Sequence, residues 1–463
     1  MDWTPEAEAA IQKVPFFVRS KAGSSMPRTL WLFFCLIVCA CTAVQPATIR
    51  DLEVLPQDAG HYLPASTEPF ISPDRQAVLY RDWQARFFAP WHREKPRYGA
   101  DEVFSGFRRY GFRTIYNETS LPLPPDWSEA MAREADRAAY PSRHLPAVTV
   151  LHASLRVFPT HKPVFFDPSA PGRGFPFDQM QNSLVAAGTP LLITHVSRSG
   201  EWALVETDWA AGWVRWPEIA LVDPDFIRAY GAAPLIGFRA DRIAVAEPDG
   251  RFLISGRVGM TLPLAGDPRP GTGWTVGVPV RDHLGRARIR QGVVPRADAG
   301  RLPFAATRDN AVELLNALMG QPYGWGGLYE NRDCSALIQD LLGVFGIPLP
   351  RNSRDQARAG HWVALEGLGG PEKERLIRRQ GVPLLTILYM PGHVMLYLGQ
   401  DPDSGRAVAC HAMWGIRTGG RNGSGRLVVG RTVVTSLEPG RELSGVPPGG
   451  RLLDRLTGMA RLE

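Results

Sequence analysis

Cysteine is scarce in this chain. Of five residues, Cys35, Cys39 and Cys41 crowd into one apolar run, leaving Cys334 and Cys410 for the body. That excludes a disulfide-stapled scaffold. Long apolar runs are also missing: the uncharged stretch 30–44 spans 15 residues, short of the roughly 20 that a membrane helix needs. Lysine is nearly absent, 5 against 47 arginines, and no block of like charge occurs. The formal charge of +6 therefore does not read as a nucleic-acid-binding arm. Glycine and proline, 47 and 41 of 463 residues, stay below the combined share of roughly 25–30% that marks low complexity. A globular, turn-rich chain of several domains remains, with 44% hydrophobic residues and 13 Trp.

The run 30–44 follows Arg28 and ends in small residues, as an export signal does. Met26 stands where such a signal begins and is the expected start. Val38-Cys39-Ala40-Cys41 resembles a bacterial lipobox, which implies a leader over residues 1–41 and a lipid on Cys41. Cleavage after Ala43, releasing a soluble periplasmic protein, is the alternative. Membrane contact is expected only through that anchor.

Residues 42–142 are Pro-rich with aromatic clusters and show no sustained period, so an irregular N-terminal segment is expected. Residues 143–223 carry short alternating runs (LHASLRVFP, PLLITHVS, EWALVE, AGWVRW) separated by Gly, Pro and Asp, the pattern of a small β-barrel. Residues 224–303 repeat that pattern, with turns at Asp249-Gly250 and Leu284-Gly285. From 304 to 463 the period changes. Ala311, Leu314, Leu315, Leu318 and Met319 mark one helix, and Leu337, Ile338, Leu341, Leu342 and Phe345 a second, before strands at 384–390, 394–398 and 407–413. The fold class is multidomain α+β: two small barrels, then an α+β domain.

Cys334 follows Asp333, a favourable N-cap, which places the thiol at a helix N-terminus. The helix dipole there is expected to lower the thiol pKa. His393 opens a strand as the leading base. The turn sequence 401–405 would fold the next strand back beside it, bringing His411 up to orient His393, as the third member of a triad does. Cys410 points the other way and reads as packing. One Cys and two His without paired spacing do not suggest a metal site, and no cofactor is expected.

Together, Tyr323-Gly324-Trp325-Gly326-Gly327, Arg332-Asp333-Cys334-Ser335-Ala336-Leu337, Pro350-Arg351-Asn352-Ser353 and Pro391-Gly392-His393-Val394 closely resemble the NlpC-type cell-wall cysteine peptidases, a papain-like family. Upstream, 155–160 and 177–183 resemble the two Src-homology-3-like barrels of one subgroup. Phe88-Ala89-Pro90-Trp91 resembles the motif of its stabilising N-terminal segment. The resemblance implies a papain-like peptidase domain at 304–463. It implies a peptidoglycan hydrolase that cuts murein stem peptides or muropeptide fragments between D-γ-glutamate and a diamino acid such as diaminopimelate, in peptides with a free N-terminal L-Ala. Cys334 would be the nucleophile, His393 the base and acid, and His411 the orienting residue. Tyr323 would assist the oxyanion, and Asp333, Ser335 and Trp325 would line the substrate. One Asp333 oxygen would cap the helix while the other met the substrate ammonium. The first barrel is expected to cover one end of the groove. The rival readings are an inactive wall-binding protein and a papain-like amidase or acyltransferase on another substrate.

Overall fold

The structure, a computed structural model, describes residues 48–463 except 112, 267–272, 420–424, 444 and 448. The expected export signal, with Met26 and Cys41, lies outside the described residues. Among the described residues no helix is long and apolar enough to cross a membrane.

The segment expected to be irregular is helical: α1 (Arg50–Val54), α2 (Ala59–Tyr62), α3 (Pro73–His92), α4 (Ala100–Val103), α5 (Ser105–Tyr110) and α6 (Trp127–Glu134). The longest, α3, starts where Ser72 Oγ accepts the Arg75 N–H and Pro73 takes the first helical position, two start signals in adjacent residues. Its period is hidden because only Gln76, Pro90 and Trp91 are buried. Tyr80, Trp83 and Phe87 stack along one side, with ring centroids 5.8 and 5.0 Å apart. Trp91 closes the helix by donating its indole N–H to Ala147 O at 2.6 Å, which ties the segment to the first barrel.

That barrel comprises β1 (Leu145–Thr149), β2 (Ala153–Arg156), β3 (Gln181–Val185), β4 (Pro190–Val196), β5 (Trp202–Glu206), β6 (Ala211–Arg215) and β7 (Ile219–Leu221), in the order β3-β2-β6-β5-β4-β1-β7. Inward residues such as Leu155, Leu191, Ile193, Val205 and Val214 fill it. The long β2–β3 loop, 157–180, is its main excursion. After α7 (Pro224–Ala232), a second β unit contains β8 (Leu235–Phe238), β9 (Ile243–Ala246), β10 (Phe252–Gly256), β11 (Thr261–Pro263), β12 (Trp274–Arg281), β13 (Ala287–Val294) and β14 (Ala299–Arg301). These form a four-stranded and a three-stranded sheet around Phe238, Val245, Leu262 and Val276. The expected turns at Gly250 and Gly285 join β9 to β10 and β12 to β13, and both glycines take positive φ.

The C-terminal part begins with α8 (Arg308–Leu318) and α9 (Cys334–Gly343), then α10 (Ser353–Gln356), β15 (His361–Ala364), α11 (Gly370–Gln380), β16 (Thr386–Met390), β17 (His393–Gln400), β18 (Ala407–Thr418), β19 (Gly425–Ser436), α12 (Leu452–Arg455) and β20 (Gly458–Arg461). The six strands order as β15-β20-β16-β17-β18-β19. One sheet face buries Val394, Leu396 and Cys410 against Leu337, Ile338 and Leu341 of α9. The other buries Met395, Tyr397, Ala409 and Met413 against Ile377 of α11 and Leu452 of α12. Strand alternation thus sends Cys410 into the core on the α9 side, as its neighbours in sequence suggested.

Candidate active site

Helix α9 begins at its nucleophile candidate because Asp333 is extended and caps it, Oδ1 accepting the Ala336 N–H at 2.9 Å. The cap is itself held. Arg351 donates Nη1 to Asp333 Oδ1 at 3.0 Å and Nη2 to Oδ2 at 2.6 Å, and Gly326 N–H donates to Oδ2 at 3.0 Å. Ser335 Oγ donates to Oδ1 at 3.2 Å and accepts Arg351 Nη1 at 2.9 Å. Both carboxylate oxygens are therefore engaged within the protein, one of them capping the helix and both meeting Arg351. Ser335 is likewise turned into this network. Burial would raise the Asp333 pKa, but the Arg351 guanidinium outweighs it and holds the carboxyl below its usual range.

The same few residues fasten both β units to the site. Arg351 Nε donates to Ser183 Oγ at 2.8 Å, and Gln181 Nε2 donates to Gly326 O at 2.9 Å, both on β3 of the first barrel. Gly326 and Gly327 take φ of +58° and +83°, and a Cβ on them would stand 2.6 Å from Gln181 O and 2.4 Å from Leu184 Cβ. Only glycine allows this approach. On the other side Arg332, 2% exposed, forms a two-point ion pair with Asp241 of the second β unit and donates Nε to Asp340 Oδ2 at 2.7 Å.

The sulfur of Cys334 lies at the start of β17, within hydrogen-bond reach of the Val394 N–H. Burial, reinforced by the adjacent Asp333 carboxylate, pushes the thiol up to about 12. This reverses the expected lowering by the helix dipole. The main reason is burial, to which the capping carboxylate adds by offsetting the positive end of the helix where the sulfur sits. Cys334 N–H, in the first turn, has no intrahelical acceptor and is free to meet an oxyanion.

His393 Nε2 lies 2.7 Å from His411 Nδ1, and His411 Nε2 lies 3.0 Å from Thr435 Oγ1. Thr435 donates its hydroxyl proton to Ser436 O at 2.7 Å, an atom that can only accept. Its oxygen must then accept from His411 Nε2–H. That leaves His411 Nδ1 with a lone pair, so His393 donates through Nε2 and keeps Nδ1 unprotonated. The chain of bonds fixes both tautomers. Burial pushes His393 down to about 4, with a smaller contribution from Arg455. Burial and the facing His393 hold His411 well below the usual imidazole range. The sequence pattern found the two histidines but not Thr435, which belongs to a strand, β19, that it did not anticipate.

Tyr323 and Trp325 border a cavity of about 210 Å³ that also receives His393 and Trp414. The β2–β3 loop of the first barrel reaches it through Phe177, whose ring centroid is 5.3 Å from Trp325, 5.8 Å from Trp414 and 6.4 Å from Tyr323. Burial raises the Tyr323 pKa well above normal, so its hydroxyl keeps its proton. His393 and His411 bond to one another. Among the described residues the grouping of metal-ligand side chains is His61, Asp401 and Asp403, at the far end of β17 from His393.

Three family models match the chain in order. They are the N-terminal NLPC_P60 stabilising domain over residues 29–140, an SH3 domain of the SH3b1 type over 163–215, and the NlpC/P60 family over 320–402. The last contains Cys334 and His393. A probable endopeptidase of Corynebacterium glutamicum is 37% identical over 75 residues, 16% of this chain and 36% of that protein. A gamma-D-glutamyl-L-lysine dipeptidyl-peptidase of Bacillus subtilis is 27% identical over 129 residues, 25% of this chain and 39% of that protein. The chain thus spans less than two fifths of either curated relative. An NlpC/P60 endopeptidase structure from Photobacterium damselae subsp. piscicida shares the fold, with a TM-score of 0.78 and 24% identity over 88% of this chain and 97% of that one. The chain thus carries an NlpC/P60-family domain, with an N-terminal NLPC_P60 stabilising domain and an SH3b1-type domain ahead of it.

Proposed function

We propose that this protein is a peptidoglycan hydrolase, a cysteine endopeptidase that cuts the D-γ-glutamyl–diamino acid bond of murein stem peptides. The observation that carries this reading is the one-way chain from His393 through His411 to Thr435, which leaves an unprotonated Nδ1 on His393. A neutral base serves a neutral thiol. As Cys334 Sγ attacks the γ-carbonyl carbon, its proton passes to His393 Nδ1 and an S–C bond forms. The oxyanion that develops meets Cys334 N–H and the Tyr323 hydroxyl. His393 then returns the proton to the leaving nitrogen as the C–N bond breaks. Water, deprotonated by the same nitrogen, opens the thioester and restores the thiol. No cofactor enters this sequence.

The B. subtilis relative is named for the γ-D-glutamyl linkage, and the wall contributed by Phe177 narrows the approach to the site. We read that wall as favouring released fragments with a free N-terminal L-Ala over intact sugar-linked stems. An envelope location, with export and an anchor at Cys41, belongs to the same proposal.

The test incubates the protein, with Cys334→Ala as control, with L-Ala-γ-D-Glu-diaminopimelate and its N-acetylated analogue, and reads products by mass spectrometry. Release of L-Ala-D-Glu from the free peptide alone supports the full reading. Cleavage of both keeps the endopeptidase and removes the amine requirement. Cleavage of neither overturns the enzymatic reading.

A further inference from the structure

The β18–β19 hairpin carries Arg417 directly across from Arg426 in the strand register. Like charges at facing positions repel, and here a third joins them. Arg455 of α12 lines the same 210 Å³ cavity, together with His393. Among the described residues none of the three makes an ion pair or a side-chain hydrogen bond, whereas neighbouring Arg406 and Arg451 are both paired to Glu438. Arg426 Nε is buried and has no hydrogen-bond partner. A buried guanidinium donor left unpaired beside two further cations is costly unless an anion completes it. Burial and mutual repulsion hold Arg426 and Arg455 below the usual guanidinium range, as expected of an incomplete site.

Position tells which part of the substrate would supply that anion. The cavity includes His393 but neither Cys334 nor Asp333 among its lining residues. His393 must hand a proton to the departing nitrogen, so the released residue lies beside its ring. Diaminopimelate carries a carboxylate on its side chain where lysine has only an ammonium. Planar guanidinia suit a carboxylate through paired N–H donors, and they repel an ammonium.

We propose that Arg417, Arg426 and Arg455 form a carboxylate-binding subsite for the released residue, selecting stem peptides with a second carboxylate there over those with lysine. This rests on the endopeptidase reading for which end of the substrate enters, but binding can be tested without turnover. Three peptides of the form L-Ala-γ-D-Glu-X-D-Ala serve, where X is diaminopimelate, diaminopimelate with its side-chain carboxyl amidated, or lysine. The terminal D-Ala removes the main-chain carboxylate of X from the comparison.

Binding to the Cys334→Ala protein is measured by calorimetry. It should favour the free carboxylate over the amide about 10- to 100-fold, the range of one or two charge-assisted hydrogen bonds, with lysine weakest. Arg417→Gln, at an exposed position, and Arg426→Gln should each shrink that ratio while binding of the amidated peptide changes little. Equal affinity for all three peptides, or an equal loss for all three in the variants, overturns the subsite. Absence of hydrolysis by the unsubstituted protein, with the binding ratio intact, overturns the endopeptidase reading and leaves the carboxylate subsite standing.

Discussion

Arg351 holds both oxygens of Asp333, at 3.0 and 2.6 Å, while Asp333 caps the helix that begins with Cys334. The ion pair is buried on both sides, with 7% and 11% of the two side chains exposed. It also reaches Ser183 of the first barrel. Removing one partner of such a pair leaves the other charge unpaired, at a cost of about 3–5 kcal/mol. Arg351→Met should therefore lower the stability read by urea unfolding by that amount, with Arg351→Lys intermediate because it keeps the charge and loses the fork. A loss below about 1 kcal/mol would show that water replaces the guanidinium without difficulty.

Thr435 does not touch the substrate, yet its hydroxyl decides which nitrogen of His411 carries the proton. Thr435→Val removes the acceptor. His411 can then adopt the other tautomer and present an N–H to His393, turning that ring away from its role as base. The expected result is a fall in kcat of about 10-fold or more, a part of the 10²–10⁴ that general acid–base catalysis supplies. KM should stay unchanged, and Thr435→Ser should restore the rate. Equal losses in Thr435→Val and Thr435→Ser would indicate packing rather than proton placement.

The sequence revealed what local rules govern. The cap at Asp333, the stripe of α9, the hairpin turn at 401–405 and the face shared by His393 and His411 all follow from period and turn chemistry within short windows. What it hid depends on residues far apart in the chain. Arg351 meets Asp333 across 18 positions and Ser183 across 168, and nothing in its neighbours announces either contact. Helix α3 escaped because it buries only Gln76, Pro90 and Trp91, so no sustained apolar stripe marks it. The thiol pKa was misjudged for a related reason: the dipole is a local property of a helix end, whereas burial comes from β17 packing over it.

Gly327 offers a direct test of how far the first barrel governs the site. A methyl group there would meet Leu184 Cβ at 2.4 Å with φ at +83°. Neither the loop nor β3 can yield without shifting the Gln181–Gly326 bond. Gly327→Ala should cost about 1–3 kcal/mol from the strained backbone and lower kcat/KM, because the same loop supplies Tyr323 and Trp325. Gly392→Ala, also at positive φ but with open space around it, is the control: its penalty should come from backbone strain alone, with a smaller loss of stability. Equal destabilisation by the two substitutions would show that the barrel contact adds nothing.

Acidity should act through the histidines, and the sign can be worked out. His393 and His411 are held neutral in the folded chain, the first with its pKa pushed down to about 4 and the second well below its usual value. The unfolded chain takes up protons on both as pH drops below about 6.5. Their contribution to stability is therefore complete above that pH and is lost progressively towards pH 4. In His411→Gln the amide oxygen can still accept from His393 Nε2, so the base keeps its orientation while one of the two groups is gone. Thermal unfolding followed from pH 7 to pH 4 should show a shallower decline in His411→Gln than in the unsubstituted protein. Alkylation of Cys334, read in parallel, should rise about tenfold per pH unit above pH 7 without a neutral plateau, as a thiol near 12 requires. A plateau below pH 7 would mean a thiolate–imidazolium pair in the resting protein, and would replace the neutral pair from which the mechanism starts.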